Sequence, residues 1–403
     1  MPTNASAAAP SLFFLDWVRT FAFGLLVLFH VGMYYVSWDW HIKSPNASTV
    51  LEPLMRLSLP WRMTLLFLVS GAATSFMLAR RGADGGLLGQ RAKRLLLPLL
   101  FGVLVIVPPQ SYFEVVQHFG YAGDYGEFLR LYLSGYGGFC GNSGQCLILP
   151  TWNHLWFLPY LFVYTLLLWS ALRAWPRGLD ALAVRLPDAL SGARLVLLPV
   201  AFLAISRIAL HDRFPATHAL VGDWFAHTQY FAVFLLGATL ARAPLLWQRM
   251  SQARWVALVF ALTAWVLLVI PAPSMPAAES LLALMRPVAH SVVQSCAILA
   301  VVGFAHRHLN GDSALRRYLT EAVFPVYILH QTLIMLLAQV LLHIRLAPGI
   351  EGPLIAAGTF ALSFLGFEIV RRIGWLRPLF GLPTSSASRT PAALCRTRLA
   401  QWG

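Results

Sequence analysis

Long apolar runs, separated by short polar or basic connectors, dominate the chain. Ten of them reach membrane-spanning length: roughly 13–36, 57–79, 95–116, 155–174, 190–210, 225–243, 254–270, 281–305, 322–345 and 352–373. A helix rises about 1.5 Å per residue, so about 20 residues cross a hydrocarbon core of about 30 Å. Lipid offers no water to backbone N–H and C=O groups, and helices satisfy those groups internally. The pattern therefore predicts an all-α, polytopic membrane protein with about ten transmembrane helices. No repeat and no long polar segment marks a second domain. One helical domain is expected over 1–381, followed by a basic tail over 382–403.

Composition fits this class. Hydrophobic residues make up 58% of the 403 and charged residues only 11%, too few charges to cover a soluble surface. The net charge of +14 would suggest nucleic acid, but its distribution points elsewhere. With the N-terminus inside, 21 of the 30 Lys and Arg fall on inner loops and the tail, against Lys43, Arg56, Arg130, Arg213 and Arg345 outside. The positive-inside rule then places both termini in the cytoplasm, and no nucleic-acid partner is expected. The first segment lacks a basic n-region and a cleavage site, and reads as a retained helix. Cys140 and Cys146, six apart in the third loop, an outer one, would be free to form a disulfide there; two free thiols are the alternative.

The chemistry lies in polar groups that lipid disfavours. A charge at the bilayer centre costs about 2.5–3.5 kcal/mol on insertion scales. The first span contains "RTFAFGLLVLFH". Eleven residues turn a helix by about three turns plus 20°, so Arg19 and His30 share one face, about 16 Å apart along the axis. Asp16 lies on that face and is expected to pair with Arg19. Arg62 stands near the outer end of the second span, where snorkelling to the headgroups would explain it. Ser70 and Gly71 suit a close helix contact better than a nucleophile. Arg91 and Arg94, one turn apart with Lys93 between, could hold a phosphate; topogenic charge beside anionic lipid explains them as well.

Outward of these, "TWNHLWFLPY" places His154 and Trp156 near the depth of His30, and "MYYVSWDWHIKS", at the end of the first span and in its outer loop, clusters Trp38, Trp40 and His41. Aromatic rings with polar tips suit a sugar, and they also suit the membrane interface. Arg286 and His290 share a face of the eighth span, His330 lies within "EAVFPVYILHQ", and Arg207 and Glu368 sit in other spans. Together they imply a polar cavity through the bundle. No metal-ligand spacing, phosphate-binding glycine loop or nucleophile elbow occurs. A buried imidazole with basic residues inward of it suits a general base serving an anionic donor. A transporter with a polar pathway fits the same residues, and a structural membrane subunit is the third class.

The Arg-x10-His of the first span, "RAKR", "LFLVSG" and "VFPVYILHQ" together resemble the acyltransferase-3 family of membrane acyltransferases. The likeness runs from residue 12 to about 381. "WDWHIKSP", "WRMTLLFLVSG", "NHLWFL" and "RYLTEAVFPVYILHQTL" are similar to its periplasmic-glucan branch. The resemblance implies a multi-pass protein of the bacterial inner membrane. It moves an acyl group, succinyl or acetyl, from cytoplasmic acyl-CoA to a hydroxyl of a periplasmic glucan or surface polysaccharide. No bound cofactor or metal is implied. His30 would be the general base, and Arg19, Arg91 and Arg94 would hold the donor. Asp16, His154, Trp156, Trp38, Trp40, His41, Arg286 and His330 would line or support the acceptor side. The loop "GGFCGNSGQC" departs from that branch and leaves the acceptor open.

Overall fold

Backbone groups in lipid must pair locally, and the apolar runs fold accordingly. The computed structural model describes residues 12–81, 85–141, 144, 146–270 and 276–384. Helix α1 (Phe13–Tyr35) is followed by the short α2 (Glu52–Ser58), α3 (Arg62–Arg81), α4 (Gly85–Phe101), α5 (Pro108–Phe119), α6 (Tyr125–Ser134) and α7 (Phe157–Ala174). Then come α8 (Gly178–Ala189), α9 (Arg194–Leu210), α10 (Trp224–Leu240), α11 (Pro244–Val269), α12 (Pro276–His308), α13 (Ala314–Leu342) and α14 (Pro348–Arg372). Among the described residues no β-strand forms.

All ten expected runs are helical. Among the described residues seven helices are long and apolar enough to cross a membrane, or nine if each of two bent pairs counts as one span. The remaining helix, α10, has 17 residues. The expected span at 95–116 is broken: a π-helical turn over Gly102–Ile106 joins α4 to α5, and the pair is bent by 45°. Pro108 and Pro109 explain the break, since neither has an N–H to continue the ladder. Thr332 Oγ1 donates to the carbonyl oxygen of Ile106 at 2.7 Å, capping one group the break frees. The expected span at 190–210 begins at Arg194, after a 110° bend at Ser191 and Gly192, where Gly192 has φ 56°. The tail expected over 382–403 lies outside the described residues from 385 onward. Leu382 is buried against the bundle.

Helix α1 packs against α3, α12, α13 and α14, so its polar face looks into the bundle. Apolar burial drives little helix association in lipid, and close backbone contact does more. Helices α3 and α10 make such a contact: a Cβ on Gly71 would overlap the carbonyl oxygen of Phe234, and one on Gly237 that of Leu68. Gly71 is thus a packing residue, as its sequence setting suggests.

The loop after α1 is tied down on both sides. Lys43 Nζ donates to the carbonyl oxygens of Met33 and Val36 at 2.7 and 2.9 Å, capping the C-terminus of α1 as a cation should. His41 Nδ1 meets Glu114 Oε2 of α5 at 2.6 Å, and Lys43 and Gln117 exchange two hydrogen bonds. A separate aromatic cluster of Phe128, Tyr132 and Phe139 holds the next loop. There Cys140 and Cys146 are disulfide-bonded. Cys296 is a buried free thiol, and Cys395 lies outside the described residues.

Candidate active site

The π-turn, the short 3-10 turn Asn153–Trp156 before α7, α1 and α13 converge on three imidazoles. His30 Nδ1 lies 2.8 Å from His330 Nε2, and the two rings stack nearly parallel, centroids 5.0 Å apart. His330 Nδ1 lies 2.7 Å from the carbonyl oxygen of Tyr327. These two contacts determine the tautomers. A carbonyl only accepts, so His330 carries its proton on Nδ1, and in the neutral ring Nε2 is an acceptor. His30 must then donate from Nδ1, which leaves the lone pair on its Nε2. Among the described residues no hydrogen bond engages that nitrogen, and His30 is half-buried. The proton positions are assigned from this network.

His154 is held more completely than expected of a residue at an acceptor mouth. It is buried, donates from Nε2 to the carbonyl oxygen of Ile328 at 3.1 Å, and accepts at Nδ1 from Gln110 at 3.3 Å. Its ring meets that of His330 edge-on, centroids 5.0 Å apart. Gln110 also donates to Thr332 Oγ1 at 2.7 Å and accepts from Gln331 and Asn153 at 2.9 and 3.1 Å. Tyr327 donates to the carbonyl oxygen of His154 at 2.6 Å. This network locks α5, α13 and the turn before α7 around the His30–His330 pair. Buried polar groups that are fully satisfied specify one geometry. His154 is therefore part of the scaffold of the site.

The basic group forms at the other end of α1. Arg19, Arg91 and Arg94 are mutual electrostatic neighbours. Arg19 Nη2 donates to the carbonyl oxygen of Thr320 at 3.1 Å, and Arg91 Nη2 reaches Thr74 Oγ1 at 3.4 Å. The Nε atoms of Arg19 and Arg91 are buried without a partner among the described residues. Asp16 and Arg19 interact by charge, but no hydrogen bond joins them among the described residues. Asp16 instead pairs with Arg316 of α13, which also holds Asp312 at 2.7 Å. Asp16 remains the carboxylate whose charge faces Arg19. The Arg316 pairing leaves three guanidiniums together, with unused donors on Arg19 and Arg91, an arrangement suited to phosphate oxygens.

Of the aromatic candidates, Trp40 lies against His30, rings stacked with centroids 6.4 Å apart, and His41 follows, anchored on Glu114. Trp38 sits beyond Phe29, centroids 6.5 Å apart, under the Arg56 guanidinium. Trp156 stands in another aromatic wall, against His218 at 4.1 Å and Tyr230 at 5.7 Å. Neither Arg286 nor His290 joins the imidazole group: Arg286 is exposed, and His290 faces Arg207 of α9 and His211 just after it. Among the described residues no group of His, Cys, Asp and Glu is arranged to hold a metal ion.

Comparison with known proteins agrees with this chemistry. An acyltransferase domain family, acyltransferase-3, matches residues 12–368. Proteins called "Glucans biosynthesis protein C" from Salmonella gallinarum, Salmonella heidelberg and Salmonella typhi are each 25% identical over 389 residues, 93% of this chain and 96% of theirs. No solved structure matches the chain. The family match covers nearly the whole chain, and the helices are long and apolar enough to span a membrane: this chain belongs to the acyltransferase-3 family and is a multi-pass membrane acyltransferase.

Proposed function

We propose that the enzyme transfers an acyl group from cytoplasmic acyl-CoA to a hydroxyl of a periplasmic glucan or a similar surface carbohydrate, in the inner membrane of a bacterium. The observation that carries this reading is the free Nε2 of His30, on the same helix as Arg19. Basic loops favour a cytoplasmic position for Arg19, Arg91 and Arg94, where they would hold the phosphates of the donor. A pantetheine arm is long enough to follow α1 through the rise of about 16 Å to His30. The Cys140–Cys146 disulfide supports an oxidising compartment on the opposite side. The names of the relatives support a glucan acceptor, and succinyl or acetyl is the acyl group proposed.

The chemistry follows from the tautomers. His30 Nε2 takes the proton of the acceptor hydroxyl as its oxygen bonds to the thioester carbon. The carbonyl electron pair moves onto oxygen and returns as the C–S bond breaks. The leaving thiolate takes the proton from His30, giving an ester and free CoA. His330 stays neutral, accepting from His30 Nδ1 and holding the ring. A positioned general base of this kind is worth about 10²–10⁴-fold in rate. Trp40, stacked on His30, would guide the sugar. Mass spectrometry of periplasmic glucans and surface polysaccharide from a His30→Ala strain tests the reading. Loss of acyl esters is expected; unchanged esters with normal protein levels would defeat it.

A further inference from the structure

Arg62, at the start of α3, is the buried cation that this scheme leaves without work. It does not snorkel. It is 6% exposed, and its Nε and Nη1 are buried with no hydrogen-bond partner among the described residues. Its guanidinium lies over the ring of Phe29, 3.2 Å from the centroid, and that ring is 6.2 Å from the ring of His30. Its other polar neighbours are Tyr230 and His218. No carboxylate faces it among the described residues.

The contrast with Arg316 is instructive. That arginine is equally buried, at 8% exposed, and holds two carboxylates. Arg316 is thus buried and paired with carboxylates, whereas Arg62 is buried with none among the described residues. A buried guanidinium with unused donors is costly unless a partner arrives. Stacking on Phe29 satisfies the face of the group and leaves its N–H edges for oxygen.

We propose that Arg62 is a subsite for an anionic oxygen of the acyl donor, beside the base. The proposal rests on the acyl-transfer reading. Two oxygens share this chemistry. One is the thioester carbonyl oxygen, which gains the electron pair as the acceptor oxygen bonds to carbon and gives it back as the C–S bond breaks. The other is a carboxylate at the far end of a dicarboxylic acyl chain.

The experiment compares the wild type, Arg62→Met, Arg62→Lys and His30→Gln in proteoliposomes, with acetyl-CoA and succinyl-CoA as donors. A fall in kcat of about 10²-fold with both donors in Arg62→Met, partly restored in Arg62→Lys, identifies the carbonyl oxygen. A rise in KM for succinyl-CoA alone identifies the chain carboxylate. A folded Arg62→Met enzyme with wild-type kcat and KM for both donors overturns the proposal. Equal inactivity of wild type and His30→Gln would instead defeat the acyl-transfer reading. A binding arm needs no turnover: acetate or succinate should raise the melting temperature of the wild type more than that of Arg62→Met. Equal shifts in the two proteins would overturn the subsite by themselves.

Discussion

The two ends of the polar stripe on α1 are built on opposite principles. At the imidazole end, His154, Gln110, Gln331, Thr332 and Asn153 share one set of hydrogen bonds, His330 is bonded to His30 and to the Tyr327 carbonyl, and His30 Nε2 is the atom left over. At the arginine end, three guanidiniums crowd together, and the Nε atoms of two of them, Arg19 and Arg91, have no partner among the described residues. A saturated network holds one geometry and suits a catalytic group. An under-paired cluster of like charge waits for a ligand that supplies the missing charge. On the function proposed above, the difference separates the part of the stripe that reacts from the part that binds.

Substitutions should break this division in order of size. His30→Gln keeps much of the side-chain volume and removes the base; kcat is expected to fall by about 10³-fold, read as thiol release from acyl-CoA. Loss of His330 as acceptor, in His330→Phe, should lower kcat by about 10²-fold and change the pH dependence of kcat/KM, because His30 is then free to adopt either tautomer. Donor affinity should be unaffected in both. The reverse split is expected at the other end. Arg91→Ala and Arg94→Ala should each raise KM for acyl-CoA about 10–100-fold, the loss of one charge-assisted contact of about 1.5–3 kcal/mol, with kcat little changed. An Arg91→Ala enzyme whose loss is all in kcat would contradict the division.

Stability should follow different residues. Gly71→Val forces α3 and α10 apart at Phe234 and should lower the melting temperature, at a cost of about 1–3 kcal/mol or more. The smallest effect on turnover is expected from Cys140→Ser, which opens a short surface loop away from the imidazoles.

Much of this was readable in the residues. Apolar run length gave the helices, because lipid allows the backbone no alternative. The Arg19 to His30 spacing gave the stripe, because helical geometry is fixed. The pairing of polar groups between helices was less accessible. Asp16 is three residues from Arg19, yet Arg316, 300 positions away in sequence, pairs with it; local spacing cannot see a partner on another helix. Gln110, Gln331 and Thr332 carried a readable signal, as polar residues in spans, next to "PP" in one case and to His330 in the other two. Arg286 misled because a shared helical face does not say which neighbour that face meets. Arg62 could be assigned to the membrane edge by sequence, and only the packing of α1 on α3 places it beside Phe29 and His30.

The most direct test of the central claim is acyl transfer by purified protein in proteoliposomes, with free thiol and acylated carbohydrate counted together. The account predicts one thiol released per ester formed by the wild type, and loss of both products in His30→Gln with acyl-CoA binding retained. Full turnover in His30→Gln, or carbohydrate moved across the bilayer with no thiol released, would contradict it.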